Sequence, residues 1–282
     1  SKDSKVKEGI LLTLSDLKYA KVGTLIQDAL KNSDKGLRST ALGMLKEIDL
    51  SADELKAMTQ SVLKSGEKGE KQRLLKSLGE MPVAKTEAIF RTLIEEVRAK
   101  KFSQEIRMDL ADAVTASGSK LLIADLQSAS PKGSVFEEYS DVIYGGNARR
   151  GEQYFKQNET GQCIRCHTLG APGTVGPDLL HIGDVLDRKQ LLQALIEPSA
   201  RLAPGYGNVR LVLKGGQEVI GILEKESSTE LVLRTAEAEP LRVPLSRIEQ
   251  RENFPSAMPA MGTLMSKHEM RDVIEYLSTL KK

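Results

Sequence analysis

The residues best equipped for chemistry stand together as Cys163-Ile164-Arg165-Cys166-His167, and Cys163 and Cys166 are the only two cysteines among 282 residues. Two thiols three positions apart, followed at once by an imidazole, match a haem held by two thioethers: one turn brings both sulfurs to one porphyrin edge and puts the imidazole over the iron. Two other chemistries use Cys-x-x-Cys. A thioredoxin-like redox pair needs a βαβ setting, and no such alternation surrounds residues 163–167. A zinc knuckle needs a fourth ligand at matching spacing, and neither His181 nor His268 stands in such a pattern. The spacing points to one covalent haem c per chain, with a chance match of so short a motif as the alternative.

A six-coordinate iron needs a ligand opposite His167, and a thioether there raises the reduction potential and closes the iron to small ligands. Met258, Met261 and Met265 are the candidates; core filling is the alternative role for any of them and the expected one for Met270. His181 is a further candidate ligand or a hydrogen-bond donor to the haem, with a surface position as the alternative, and His268 reads as solvated. Arg165 and Arg201 have the planar fork that pairs with a propionate, with solvated surface positions as their alternative. Tyr206, in a glycine-flanked loop, is a possible donor to the same group, and packing beneath the neighbouring strands is its alternative.

The elements that must hold these residues change character along the chain. Nine of the ten prolines fall after residue 130, so the first half is free to be helical, and its apolar residues recur at helical spacing, as in Leu25, Ile26, Ala29 and Leu30. Ser51-Ala52-Asp53-Glu54 is a capping box. Ala41-Leu42-Gly43-Met44 resembles Ser77-Leu78-Gly79-Glu80 at a period of 36, the mark of helix pairs stacked as a HEAT-like repeat domain over residues 1–140. In the second half Gly145-Gly146-Asn147 announces a helix that leads to the cysteines. A Gly/Pro-rich loop over 170–176 and a helix near 187–197 follow. From Asn208 the apolar period drops to two, with Gly215-Gly216 as a tight turn, so 208–250 reads as a small antiparallel sheet or barrel. Ser266-Lys267-His268-Glu269 caps a last amphipathic helix bearing Met270, Val273, Ile274 and Leu277.

Composition narrows the partners. Lys plus Arg number 41 and Asp plus Glu 39, a balance that holds in both halves and gives no basic surface for nucleic acid or anionic membrane. No apolar run is long enough to span a bilayer. The chain opens Ser1-Lys2-Asp3, without Met or a signal-type apolar stretch, so a mature or trimmed product is expected. The strand pattern Val209 to Gly216 is that of small barrels that bind RNA, yet it lacks the charge and aromatics for it. The basic clusters at 98–101 and 149–150 read as solvated faces.

Residues 146–282 resemble the C-terminal haem-binding domain, a class I-like cytochrome c, of large bacterial dehydrogenases that carry a β-propeller and HEAT-like repeats. The resemblance rests on the Cys163–His167 motif, on Gly176-Pro177-Asp178-Leu179, on Ala194-Leu195-Ile196-Glu197-Pro198-Ser199-Ala200, on Ala203-Pro204-Gly205-Tyr206-Gly207, and on Met258-Pro259 followed by Arg271 to Leu277. It implies that the Pro177 carbonyl accepts the Nδ1–H of His167, that Leu179 lines the haem, and that Met258, ahead of a proline, is the distal ligand in preference to Met261. It also implies that Gly151 with Tyr154 or Phe155 meets Tyr276-Leu277. His167 and Met258 are 91 positions apart, 43 of which belong to 208–250, so the sheet reads as an insertion into the haem domain.

The expected architecture is therefore mainly α: the helical repeats, then an all-α class I cytochrome c domain over 141–282 with a sheet or barrel inserted. The expected function is single-electron transfer from a dehydrogenase, separate or in the same polypeptide, to a downstream redox protein. Because thioethers form after export in most bacteria, the resemblance implies a periplasmic or cell-surface location. Two alternatives stand beside it: a haem enzyme with an open sixth site for peroxide or a gas, and a scaffold in which the haem is a redox sensor. The oligomeric state, a homo-oligomer included, stays open.

Overall fold

The computed structural model describes residues 2–130, 133–157, 161, 163–171, 175–237 and 239–282. Residues 172–174 of the expected Gly/Pro-rich loop lie outside them. The chain forms two compact units, Ser1–Lys132 and Gly133–Lys282, whereas the sequence placed the boundary at 140. The short helix Val135–Glu138 and the turn Ser140–Val142 pack with the helices of the second unit, which moves the division toward the N-terminus.

The first unit consists of helices α1 (Lys2–Asp16), α2 (Val22–Leu30), α3 (Lys35–Leu42), α4 (Ala52–Ser65), α5 (Lys68–Glu80), α6 (Val83–Arg98), α7 (Arg107–Ala116) and α8 (Lys120–Ala129). α1, α3, α5 and α7 touch in succession as one row, and α4, α6 and α8 as a second. Leu42, Leu45, Leu55, Leu74, Leu78, Phe90, Ile94 and Leu110 are among the side chains buried between the rows. Polar ties recur between successive pairs: Arg38 Nε donates to Glu70 at 2.9 Å, Leu45 N–H to Ser77 Oγ at 3.2 Å and Lys85 Nζ to Asp49 at 2.7 Å. Gly79 lets α5 pack closely on the α7 backbone, since a Cβ there would stand 2.6 Å from the Ala113 carbonyl oxygen. Helix starts are fixed locally, by Asp34 over Leu37 N–H, by the Ser51–Glu54 box and by Ser119 over Leu122 N–H.

The second unit has α9 (Val135–Glu138), α10 (Ala148–Gln157), α11 (Ile182–Val185), α12 (Arg188–Ile196), strands β1 (Asn208–Leu213), β2 (Glu218–Glu226), β3 (Glu230–Arg234), β4 (Leu241–Pro244) and β5 (Ile248–Asn253), and finally α13 (Lys267–Thr279). α13 is the axis of its helical part. Gly151 on α10 lies so close that a Cβ would meet the Asp272 carbonyl oxygen at 1.9 Å, and Gly146 stands likewise against the Arg271 carbonyl. Asp272 accepts from Asn147 N–H at 2.7 Å and from Arg150 Nε at 2.6 Å. The Phe155 and Tyr276 rings are 5.7 Å apart, and Arg188 pairs with Glu275 at 2.7 Å.

The strands run in the order β4-β3-β2-β1-β5, all antiparallel. Val209, Leu211, Leu213, Leu223, Leu231, Leu233 and Val243 face one way and bury a core of their own with Leu202. The other face carries ion pairs such as Arg210–Glu218 and Arg234–Glu224.

This sheet corrects the expected fold class, a mainly α chain ending in an all-α class I cytochrome c domain with a small sheet or barrel inserted. The chain combines helices with a five-stranded antiparallel sheet that extends to Asn253 and has its own apolar core. Nor is it shown as a barrel, because closure requires the terminal strands to pair, and among the described residues β4 and β5 do not pair with each other. β4 is four residues long and ends at Pro244, which has no N–H to give a further strand.

Candidate functional site

Cys163–Arg165 is a single 3₁₀ turn after α10, closed by Cys166 N–H and His167 N–H, both donating to the Cys163 carbonyl at 3.2 and 2.9 Å. Cys163 is half-buried and Cys166 exposed, and neither forms a disulfide. Burial pushes the Cys163 thiol up from its ordinary range. Beside it Tyr154 is held under Gly161, where a Cβ would meet the ring at 2.8 Å. Its phenol is pushed up to about 12, chiefly by burial, with Glu269 and Cys163 adding to the effect. Tyr154 Oη is buried without a partner among the described residues.

His167 Nδ1 lies 3.0 Å from the Pro177 carbonyl oxygen. A carbonyl only accepts, so the proton sits on Nδ1 and the lone pair of Nε2 is left to bind a metal. Gly176 seats the ring: a Cβ there would stand 2.9 Å from His167 Cε1 and 3.0 Å from Nδ1. Gly176 N–H donates to the Cys166 carbonyl at 3.0 Å and Leu179 N–H to the Thr168 carbonyl at 2.9 Å, so the return segment runs against the motif, and Leu179 is buried.

Asp178 closes this return, a role the sequence did not reveal because its partners are mostly backbone N–H groups. Its carboxylate accepts from Leu180 N–H at 2.9 Å, Gly170 N–H at 2.5 Å, Thr168 Oγ1 at 2.9 Å and Ala171 N–H at 3.0 Å. Leu180 N–H first, then Gly170, Thr168 and Ala171, hold its carboxyl below the usual range. A depressed folded value stabilises the ionised form above the unfolded value of 3.8 and loses that stabilisation as pH falls through the folded value. The Thr168–Leu180 return is therefore expected to loosen only below about pH 4. Hydrogen exchange at Gly170, Ala171 and Leu180 between pH 5 and pH 2.5 checks this, after correction for intrinsic rates, with Asp178→Asn showing the loosening already at pH 5.

The remaining candidates sit on other segments. Met258 is half-buried before Pro259, while Met261 and Met265 are buried at 2% and 6% exposure in the turn that leads to α13, with Met270 wholly buried. Arg201 is exposed after α12 and Arg165 is exposed on the motif turn. Tyr206 is half-buried in a turn tied to β2, where Gly205 N–H donates to the Leu223 carbonyl at 2.6 Å and Leu223 N–H to the Gly207 carbonyl at 3.0 Å. His181 stands at the start of α11 with Nδ1 buried and unpartnered among the described residues, and His268 is exposed in the first turn of α13.

The donor set fits a haem c: two thiols on one turn and an imidazole whose Nε2 lone pair is free by the Pro177 bond. Among the described residues no three His, Cys, Asp or Glu side chains are grouped to hold a bare metal ion. No helix among them is long and apolar enough to cross a membrane. No protein-family model matches the chain, and comparison with curated proteins finds no match.

Proposed function

We propose that the second unit holds one covalent haem c and passes single electrons between a dehydrogenase, separate or in the same polypeptide, and a downstream redox protein. Cys163 and Cys166 provide the thioethers, His167 Nε2 the proximal ligand and Met258 the distal one. The bound haem would supply the one-electron iron couple. The observation that carries the reading is the 3.0 Å contact of His167 Nδ1 with the Pro177 carbonyl, since it selects the tautomer and orients the ring so that Nε2 is the atom left to bind iron. Asp178 keeps the Pro177 segment against the motif, and Gly176 leaves room for the ring. Met258 is favoured as distal ligand because its side chain is half-buried, whereas Met261 and Met265 are taken up by the core. Attachment after export puts the working protein in the periplasm or at the cell surface.

The test is an optical spectrum of protein matured with haem, in both oxidation states, beside Met258→Ala and Met261→Ala. The expected ferric wild type is low-spin with the weak near-infrared band of a methionine–iron bond, lost in Met258→Ala alone. A high-spin wild type that takes up cyanide or carbon monoxide rapidly would overturn electron transfer in favour of an open-site enzyme or sensor.

A further inference from the structure

The segment that carries Met258 is clipped to the end of α12 by residues that the chain sets more than fifty positions apart. Asn253, the last residue of β5, donates through Nδ2 to the carbonyls of Ser199 at 3.1 Å and Ala200 at 3.2 Å. Ser256 N–H donates to Ser199 Oγ at 3.0 Å, and Met258 N–H in turn to Ser256 Oγ at 3.1 Å. Between them Phe254 N–H still pairs with the Asn208 carbonyl at 2.9 Å, a last rung beyond β1 and β5. An unbroken series of hydrogen bonds thus runs from the sheet, through Ser199, to the Met258 backbone.

We infer that Ser199, Asn253 and Ser256 are positioning residues for Met258, and that the sheet, through β5, serves to hold this loop in its ligating arrangement. The inference rests on the reading that Met258 is the distal ligand. An irregular loop before α13 has no helical or strand ladder of its own, so its position depends on the side chains that clip it. Asn253 is suited to the work because its amide supplies two donors, and they reach the carbonyls of Ser199 and Ala200, just past the α12 C-cap at Glu197. Ser199 both accepts from Ser256 and presents a carbonyl to Asn253, so one residue receives the loop at two points. The clip acts on the equilibrium between a loop with Met258 in place and one with it withdrawn, and an added ligand binds only the second.

The experiment compares haem-loaded wild type with Ser199→Ala, Asn253→Ala, Ser199→Thr, Met258→Ala and Val243→Ala. Three quantities are read: the methionine–iron band, the affinity of the ferric protein for imidazole, and amide exchange of residues 256–258 in the haem-free protein. Ser199→Ala and Asn253→Ala are each expected to weaken the band and to tighten imidazole binding about tenfold, with exchange at Ser256 and Met258 faster by a similar factor. Ser199→Thr, which keeps the hydroxyl, is expected to restore both. Val243→Ala, on β4 at the edge of the sheet away from β5, lowers the stability of the sheet core without touching the clip, and is expected to leave band and imidazole affinity unchanged at temperatures where it is folded. If Met258→Ala abolishes the band while Ser199→Ala and Asn253→Ala match wild type in all three readings, the inference is overturned and the ligand reading stands. A band indifferent to Met258→Ala overturns the ligand reading, and the clip's service to it falls with that reading.

Discussion

Gly151→Ala is expected to destabilise the second unit by more than ~3 kcal/mol, about 10 °C in midpoint for a unit of this size. The added methyl carbon would lie 1.9 Å from the Asp272 carbonyl oxygen and 2.9 Å from Tyr276 Cβ. Backbone on a buried helix has no rotamer by which to yield, so α10 and α13 must separate. Separation in turn disturbs Asp272, whose carboxylate accepts from Asn147 N–H and Arg150 Nε, and the Phe155–Tyr276 contact. Against a total stability of roughly 5–15 kcal/mol, that loss is large. Gly9→Ala is the matched control. Gly9 lies inside α1 with nothing within 4 Å of a Cβ, so alanine there is expected to stabilise the first unit by about 0.5–1 kcal/mol through helix propensity. Thermal denaturation followed by circular dichroism gives both, and a Gly151→Ala midpoint within 2 °C or so of wild type would refute the close crossing of α10 and α13.

The second large effect concerns the cysteines. The double variant Cys163→Ala, Cys166→Ala is expected to carry no covalent haem, read as the absence of haem mass in the denatured polypeptide, and each single variant to keep at most one thioether. The two thiols also differ before attachment. The thiolate is the nucleophile, and Cys163 is half-buried with its thiol pushed up by that burial, while Cys166 is exposed. A small alkylating reagent at neutral pH is therefore expected to modify Cys166 several-fold faster than Cys163 in the haem-free folded protein. The difference should vanish in denaturant. Equal rates in the folded protein would show that the Cys163 pocket is open to the reagent.

Much of the local structure is legible from adjacent residues. The capping boxes at Ser51–Glu54 and Ser266–Glu269 are both formed, because a cap needs only a side chain and an N–H three positions away. The alternation from Val209 to Leu213 is a strand with Val209, Leu211 and Leu213 inward, since side chains on a pleated chain can only alternate. Gly43 and Gly79, matched at a period of 36, end or nearly end successive helices of one row. The sheet's closure was not legible: strand patterns say which residues face inward, not whether the first and last strands meet, so sheet and barrel both stayed open.

The cluster at 163–167 needed no fold to be seen, because two thiols and an imidazole on one turn are neighbours by covalent connection alone. The tertiary structure decided what surrounds them. It brought the Pro177 carbonyl to Nδ1 across ten positions, closed that return on Asp178, set Gly151 against Asp272, and clipped Asn253 and Ser256 to Ser199. Such contacts follow from how whole elements pack, and packing depends on the summed shape of residues far apart in the chain. Local propensity carries no record of that sum.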